Sequence, residues 1–306
     1  MKISVITASL NRKEFIRAAI ESVLAQKFSD FEHWVIDGGS TDGTLNLLRE
    51  YPHLRVVSGP DNGVYDAWNK GIDLATGDLI AFLNSDDVYP EGVFKANADL
   101  FTKSSAALVV SGGAEIFQRL ESGKEVQMHR YNDPRRYRLF LRNVTLGLPI
   151  INARFFRRTV FQQIGLFDLH YPLASDRDFL IRCALAGVND VCSPQIFYRY
   201  RWHAGSLTMN AGNLSTLQVV KDGLEIIDSV RASRPLDPTQ ESVLSEWRRE
   251  LQATKVMTLA VMREGAEALT SATSSIKSDP RWLITFLRCG VLAVGRWLRT
   301  SWRAVT

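Results

Sequence analysis

Two adjacent carboxylates, Asp86-Asp87, follow the apolar run Leu79-Ile80-Ala81-Phe82-Leu83. Like charges side by side repel unless a cation or hydrogen-bond donors compensate. A hard divalent ion such as Mg²⁺ or Mn²⁺ takes one or two carboxylates and leaves its other positions to ligand phosphates and water. The pair therefore reads as a metal–phosphate site; the plainer alternative is a solvated turn capping the helix after Pro90. A second polar cluster, Asp37-Gly38-Gly39-Ser40-Thr41-Asp42-Gly43, closes the strand-like Trp34-Val35-Ile36. Asp37 precedes two glycines, which let the backbone lie close to a ligand, whereas Asp42 fits equally well as a cap for the next helix. A third cluster, Thr7 to Asn11, ends the first apolar run.

The elements that must carry these clusters follow from periodicity. Ile3 to Ala8 reads as a buried strand, and Asn11 with Glu14 as a capping-box start for a helix whose apolar stripe is Ile16, Ile20, Val23 and Leu24. Further strands are expected at 34–36, 54–58 and 79–83, with helical segments between, including one over 64–75. Strands alternating with helices predict an α/β fold with a mainly parallel sheet flanked by helices. In such sheets ligands bind beyond the carboxyl ends of the strands, where all three clusters fall. The alternation fades after about residue 110. Leu120 to Lys124 reads as a hairpin turn. Helices are expected over 214–231 and from Thr239 toward Ala268 after a Pro235/Pro238 break, followed by a polar linker, Ser271 to Ser275.

Composition and missing motifs narrow the chemistry. The 306 residues are 45% hydrophobic and 23% charged, ordinary globular values that exclude a disordered or collagen-like chain. Cys183, Cys192 and Cys289 are scattered without a Cys-x-x-Cys pair, which suits a reducing compartment. The first residues lack the apolar core of a signal peptide, so a cytoplasmic address is expected. No Gly-x-x-x-x-Gly-Lys-Ser/Thr, no dinucleotide fingerprint and no Gly-x-Ser-x-Gly elbow occurs, which argues against P-loop, hydride-transfer and ester-hydrolysis chemistry. Net charge is +4, and residues 275–306 alone carry six basic side chains against Asp279. The near-neutral body argues against nucleic acid as a partner.

The ordered set Ile3 to Asn11, Val35 to Thr44 and Leu83 to Asp87 resembles glycosyltransferase family 2, the inverting nucleotide-sugar transferases of GT-A fold. Between them, Pro60-Asp61-Asn62-Gly63-Val64-Tyr65-Asp66-Ala67-Trp68-Asn69-Lys70-Gly71 and Ala75 to Asp78 resemble the subgroup that builds bacterial surface polysaccharides. The resemblance covers about residues 1–205. It implies a domain over 1–212, with a nucleotide-binding half (1–110) and an acceptor half (111–212); the helical pattern that follows is read as an extension over 213–270. It also implies a UDP-, GDP- or TDP-sugar donor and a glycan or lipid-linked acceptor.

Thr7, Ala8, Asn11, Asp37, Gly38, Ser40, Asp66, Asn69, Lys70, Asn84, Ser85 and Asp86 would line the donor site. Thr7 and Asp37 would hold the base and ribose. Asp86 and Asp87 would hold Mg²⁺ or Mn²⁺ on the diphosphate, with His203 as a further candidate ligand. Asn84 stands where the family has its first acidic position, and Trp68 where many relatives carry arginine. The family's catalytic base maps onto Asp176 of Ser175-Asp176-Arg177-Asp178-Phe179-Leu180-Ile181-Arg182. Asp178 is the rival, turned roughly 200° away on a helix; a cap tied to Arg182 is the structural alternative. The Gln-x-x-Arg-Trp motif of processive synthases is absent, so one sugar per encounter is expected.

Read as a helix, residues 276–306 place Arg281, Arg288, Arg296, Arg299 and Arg303 within an arc of roughly 80°. Arg288 interrupts the apolar run, which is too short to span a bilayer. An arginine stripe with interleaved Trp and Leu suits a helix lying in the membrane interface, on the inner face of the plasma membrane; packing against protein is the alternative. Two other functions fit less well. A sugar-phosphate nucleotidyltransferase needs a Gly-rich basic loop where Ser9-Leu10-Asn11-Arg12 stands, and a non-catalytic scaffold has no need of Asp37, Asp86, Asp87 and Asp176.

Overall fold

The computed structural model describes residues 1–203, 205 and 213–290. The chain divides into two compact units, Met1–Ala204 and Gly205–Thr306.

The first unit opens with a β/α alternation: β1 (Ile3–Ser9), α1 (Ile16–Leu24), β2 (Phe31–Asp37), α2 (Thr44–Leu48), β3 (Leu54–Ser58), α3 (Val64–Leu74), β4 (Leu79–Phe82) and α4 (Val93–Lys103). There follow β5 (Val109–Arg119), β6 (Glu125–Tyr131), α5 (Pro134–Tyr137), α6 (Leu141–Leu146), β7 (Arg154–Arg157), α7 (Thr159–Ile164), α8 (Ser175–Leu185) and β8 (Asp190–Trp202). Among the described residues, eight strands form one sheet in the order β3-β2-β1-β4-β7-β5-β6, with β8 also paired to β5. β3, β2, β1 and β4 are mutually parallel. β7 joins β4 antiparallel, so the second half of the sheet is mixed.

Register explains why the polar clusters meet. Ser9 lies opposite Asp37, and Ile6 opposite Phe82. The residues that leave β1, β2 and β4 therefore emerge along one edge, at the point where the strand order reverses. Burial on both faces holds that edge still: Ile3, Val5, Leu79 and Ala81 pack in one core cluster, and Val35 with Ile16, Ile20, Leu47 and Leu48 in another. α3 lies close on β1 because residue 71 has no side chain. A Cβ on Gly71 would stand 2.3 Å from Cγ2 of Ile6, so any larger residue would push the helix away.

Several expected boundaries need correction. Asn11 does not cap α1: it adopts φ +52°, and the helix starts five residues later with Phe15 at its N-cap and no side-chain cap bond. In the second unit, α9 (Asn213–Ser233), α10 (Pro238–Val261) and α11 (Gly265–Ser278) follow one another. The long helix from Thr239 toward Ala268 is two helices, separated at Arg263, which has φ +65°. Asp237 and Gln240 form the capping box of α10, with Pro238 at the first helical position, where its missing N–H costs nothing. Ser271 to Ser275 is not a linker but part of α11.

Residues 282–290 are helical. Trp282 is buried in a cluster with Ala253 and Val256, and Phe286 stacks on it at 5.0 Å. Arg281 pairs with Asp279, and Arg288 with Glu246 and Glu250. The sequence reading of Arg296, Arg299 and Arg303 falls outside the described residues. No helix among the described residues is long and apolar enough to cross a membrane.

Candidate active site

The turn after β4 separates its two carboxylates. Asp87 is buried and filled with donors: its Oδ2 accepts from Tyr198 Oη at 2.9 Å and Asn84 Nδ2 at 3.0 Å, and its Oδ1 from Arg201 N at 2.8 Å. Burial and the neighbouring charge of Asp86 push the Asp87 carboxyl up. Its contacts fasten the turn to β8. Asp86 faces the other way, with 19% of its side chain exposed and Oδ2 2.9 Å from Nε2 of His203. His203 in turn stacks on Phe15 at 4.5 Å, and the Arg201 guanidinium lies over the same ring at 5.8 Å. Phe15 and Tyr198 are site-building residues that no motif singled out, because they act through an aromatic ring and a buried phenol. Asn84 is tied by its backbone N–H to Tyr198 Oη at 2.9 Å, and Ser85 is buried.

The loops after β1 and β2 are stitched together. Asn11 N donates to Ser40 Oγ at 2.7 Å, and Asn11 Oδ1 accepts from Thr41 N at 2.9 Å. Asp37 folds back on its own loop, accepting from Ser40 N at 2.9 Å and Gly39 N at 3.2 Å. Asp42 accepts from the Thr44 hydroxyl at 2.6 Å and from Lys13 N and Thr44 N, which holds its carboxyl below the usual range and marks it as a loop brace. Gly38 is a place of close approach: a Cβ there would meet Oδ2 of Asp61 at 2.8 Å. Asp61 thereby joins the site, a residue the sequence reading quoted without assigning. Ala8, partly exposed, lies opposite Ile36 on the same edge. The Thr7 side chain is wholly buried and its Oγ1 lies 2.9 Å from Nε2 of His33.

The Asn69 amide is spent on the chain before α8: Nδ2 donates to Phe167 O at 2.8 Å and Oδ1 accepts from Phe167 N at 3.0 Å. Asp66 accepts from Asn62 N at 2.9 Å and pairs with Lys70 at 3.1 Å, and Lys70 Nζ also reaches Pro60 O at 3.2 Å. Asp66 and Lys70 thus shape the loop that carries Asp61. Trp68, standing where an arginine was noted in relatives, packs on Phe82 at 4.6 Å and Phe167 at 5.4 Å.

Asp176 begins α8 and is half-buried. Burial pushes its carboxyl up, against the pull of the Arg177 charge and of a hydrogen bond from Tyr65. Arg182, the partner that would have made Asp176 a mere cap, instead binds Asp178 at 2.8 Å. Tyr200 feels the charge of both acidic regions. Its phenol is raised by burial and by the charges of Asp87 and Asp176, and it donates to Asn152, whose Nδ2 is 3.4 Å from Asn84 Oδ1.

The family sequence model described as Glycosyl transferase family 2 matches residues 4–165, which include every strand of the parallel edge. This chain belongs to glycosyltransferase family 2. A PGL/p-HBAD biosynthesis glycosyltransferase of Mycobacterium bovis (strain BCG / Pasteur 1173P2) is 31% identical over 229 residues, covering 72% of this chain and 82% of the relative. An uncharacterized glycosyltransferase of Mycobacterium tuberculosis (strain ATCC 25618 / H37Rv) is 33% identical over 63% of this chain and 70% of its own.

Two solved structures share the fold of this glycosyltransferase, which is GT-A. S. aureus TarS 1–349 in complex with UDP-GlcNAc gives a TM-score of 0.63 at 18% identity, over 85% of this chain and 80% of that one. The mannosyltransferase PcManGT from Pyrobaculum calidifontis, in complex with GDP-Man and Mn²⁺, gives 0.60 at 17% identity, over 96% and 86%.

Proposed function

We propose that this glycosyltransferase moves one sugar from a nucleotide-diphosphate donor to an acceptor hydroxyl, with inversion, in the assembly of a bacterial cell-surface glycan. The observation that carries the reading is the division of labour among its carboxylates. Asp86 stands partly exposed beside His203 at the carboxyl edge of the sheet, while Asp176, in the first turn of a helix, has its basicity raised by burial. One is suited to a cation and its diphosphate, the other to an alcohol proton.

The donor set fits Mn²⁺ or Mg²⁺ modestly. Asp86 and His203 offer one oxygen and one nitrogen, and among the described residues no group of three His, Cys, Asp or Glu side chains could hold a metal. The remaining positions would go to diphosphate oxygens and water. A cation bound there supplies charge neutralisation for the departing diphosphate. Asp87, its oxygens already engaged, holds the turn on which Asp86 stands. The Asp37–Ser40 loop and Asp61 would receive the nucleoside, through backbone groups at Gly38 more than through Thr7 or Asn69. Asp176 would accept the proton of the acceptor hydroxyl as that oxygen attacks the anomeric carbon, opposite the leaving group. The ligands of TarS and PcManGT and the names of the mycobacterial relatives support a nucleotide-sugar donor. Thermal denaturation with UDP-, GDP- and TDP-sugars, with Mn²⁺ or with EDTA, is the first check. One nucleotide class should raise the melting temperature in a metal-dependent way, and no response to any of them would favour a non-catalytic scaffold.

A membrane-interface address for the lipid-linked acceptor is supported by the outer face of the helical stretch 282–290. Leu283, Ile284 and Leu287 are 48%, 71% and 60% exposed there, beside the basic end of the sequence. Apolar side chains next to arginines bind anionic interfaces by burial and charge together. The double variant Ile284→Ser, Leu287→Ser should keep its melting temperature and lose at least about tenfold in binding to phosphatidylglycerol vesicles. Unchanged co-sedimentation would argue for a protein partner on that face.

A further inference from the structure

The two oxygens of Asp176 are not equivalent. Tyr65 Oη donates to Oδ1 at 3.0 Å, and Arg177 N donates to the same Oδ1 at 2.8 Å. Among the described residues, no hydrogen bond falls on Oδ2. Tyr65 comes from α3, more than a hundred residues earlier in the chain, and its ring is fixed on both sides. It stacks on Phe167 at 5.7 Å and meets Trp68 edge-on at 5.5 Å. α3 in turn is seated on β1 through Gly71 and is tied to the segment that precedes α8 by the reciprocal Asn69–Phe167 bonds.

We propose that Tyr65 is a positioning residue for the reaction: by occupying Oδ1 of Asp176 it fixes the carboxylate plane and leaves Oδ2 as the oxygen that takes the acceptor proton. The inference rests on reading Asp176 as the base and extends it. A carboxylate with one oxygen held by a rigid phenol loses rotational freedom that would otherwise have to be frozen in the transition state. The same hydrogen bond favours the ionised form, offsetting the effect of burial so that the group stays charged at working pH. Among the described residues, Arg177 on its own helix also favours the ionised form of Asp176, and the charge of Asp176 pushes up Tyr200 of β8. Arg182 is engaged by Asp178.

The experiment is a pH–rate profile of Tyr65→Phe, which keeps the ring between Phe167 and Trp68 and removes only the hydroxyl. Maximal kcat should fall roughly ten- to a hundredfold. The acid limb should move up by about one pH unit, because a donor to the charged form is lost. Donor affinity should stay as in the wild type. Replacing Tyr65 by 3-fluorotyrosine, whose phenol is a stronger donor, should move the acid limb down with the fold intact. A Tyr65→Phe enzyme with wild-type kcat and an unmoved acid limb would overturn the proposal, as would an unmoved limb with fluorotyrosine. Asp176→Asn, measured alongside, separates the two ideas. If it still transfers sugar, the base itself is misassigned; if it is dead while Tyr65→Phe is normal, only the role of Tyr65 falls.

Discussion

Asp176→Asn should bind the donor within about a factor of two of wild type and lose a hundred- to ten-thousandfold in kcat, the range a positioned general base contributes. The amide is nearly isosteric and can still accept from Tyr65 Oη and Arg177 N through its oxygen, so the start of α8 should keep its geometry. What disappears is the proton acceptor. Stopped or quenched single-turnover transfer, with donor affinity from calorimetry on the same preparation, reads both quantities. A loss confined to donor affinity would place Asp176 on the nucleotide side and leave the base to be sought elsewhere. Asp178→Asn is the control. Its carboxylate pairs with Arg182, which also holds the carbonyls of Ile164 and Leu166, so it should cost stability more than chemistry.

Asp86→Ala should weaken Mn²⁺-dependent donor binding by about a hundredfold or more, since loss of even the supporting partners of metal ligands costs ten- to a hundredfold. It should do so without lowering the melting temperature, because its carboxylate is partly exposed and, among the described residues, is bonded through its side chain to His203 alone. Asp87→Ala should behave in the opposite sense. Three donors point at that buried carboxylate, and leaving them unsatisfied should lower the melting temperature by several degrees. The contrast between the neighbours is itself the test. If Asp87→Ala abolished metal dependence at unchanged stability while Asp86→Ala did not, their roles would be exchanged.

Much of this was legible before the fold was seen. The apolar runs at 3–8, 34–36 and 79–83 placed three strands, and the polar residues that end them placed one edge, because a parallel sheet aligns the ends of its strands. The mixed half was not legible. β5, β7 and β8 pair across long sequence separations, and local pattern does not carry such pairings. Side-chain roles were read less well than side-chain positions. Thr7 and Asn69 sit where the motifs put them, yet His33 and the Phe167 backbone consume their polar groups, and both partners lie far away in the sequence. The Asn11–Glu14 pattern looked like a capping box, but the Asn11 amide is engaged by Thr41 of a neighbouring loop, and the helix begins later. The choice between Asp86 and Asp87 needed the tyrosine and the backbone N–H of β8.

The single displacement proposed for this enzyme, with Asp176 removing the acceptor proton on the face opposite the diphosphate, would fix the stereochemistry of the product. The anomeric proton coupling of the newly formed glycoside, read by NMR from a reaction started with an α-linked nucleotide-sugar, should report a β linkage. An α linkage in that product would mean two displacements or front-side attack, and Asp176 would then not act as the base described here.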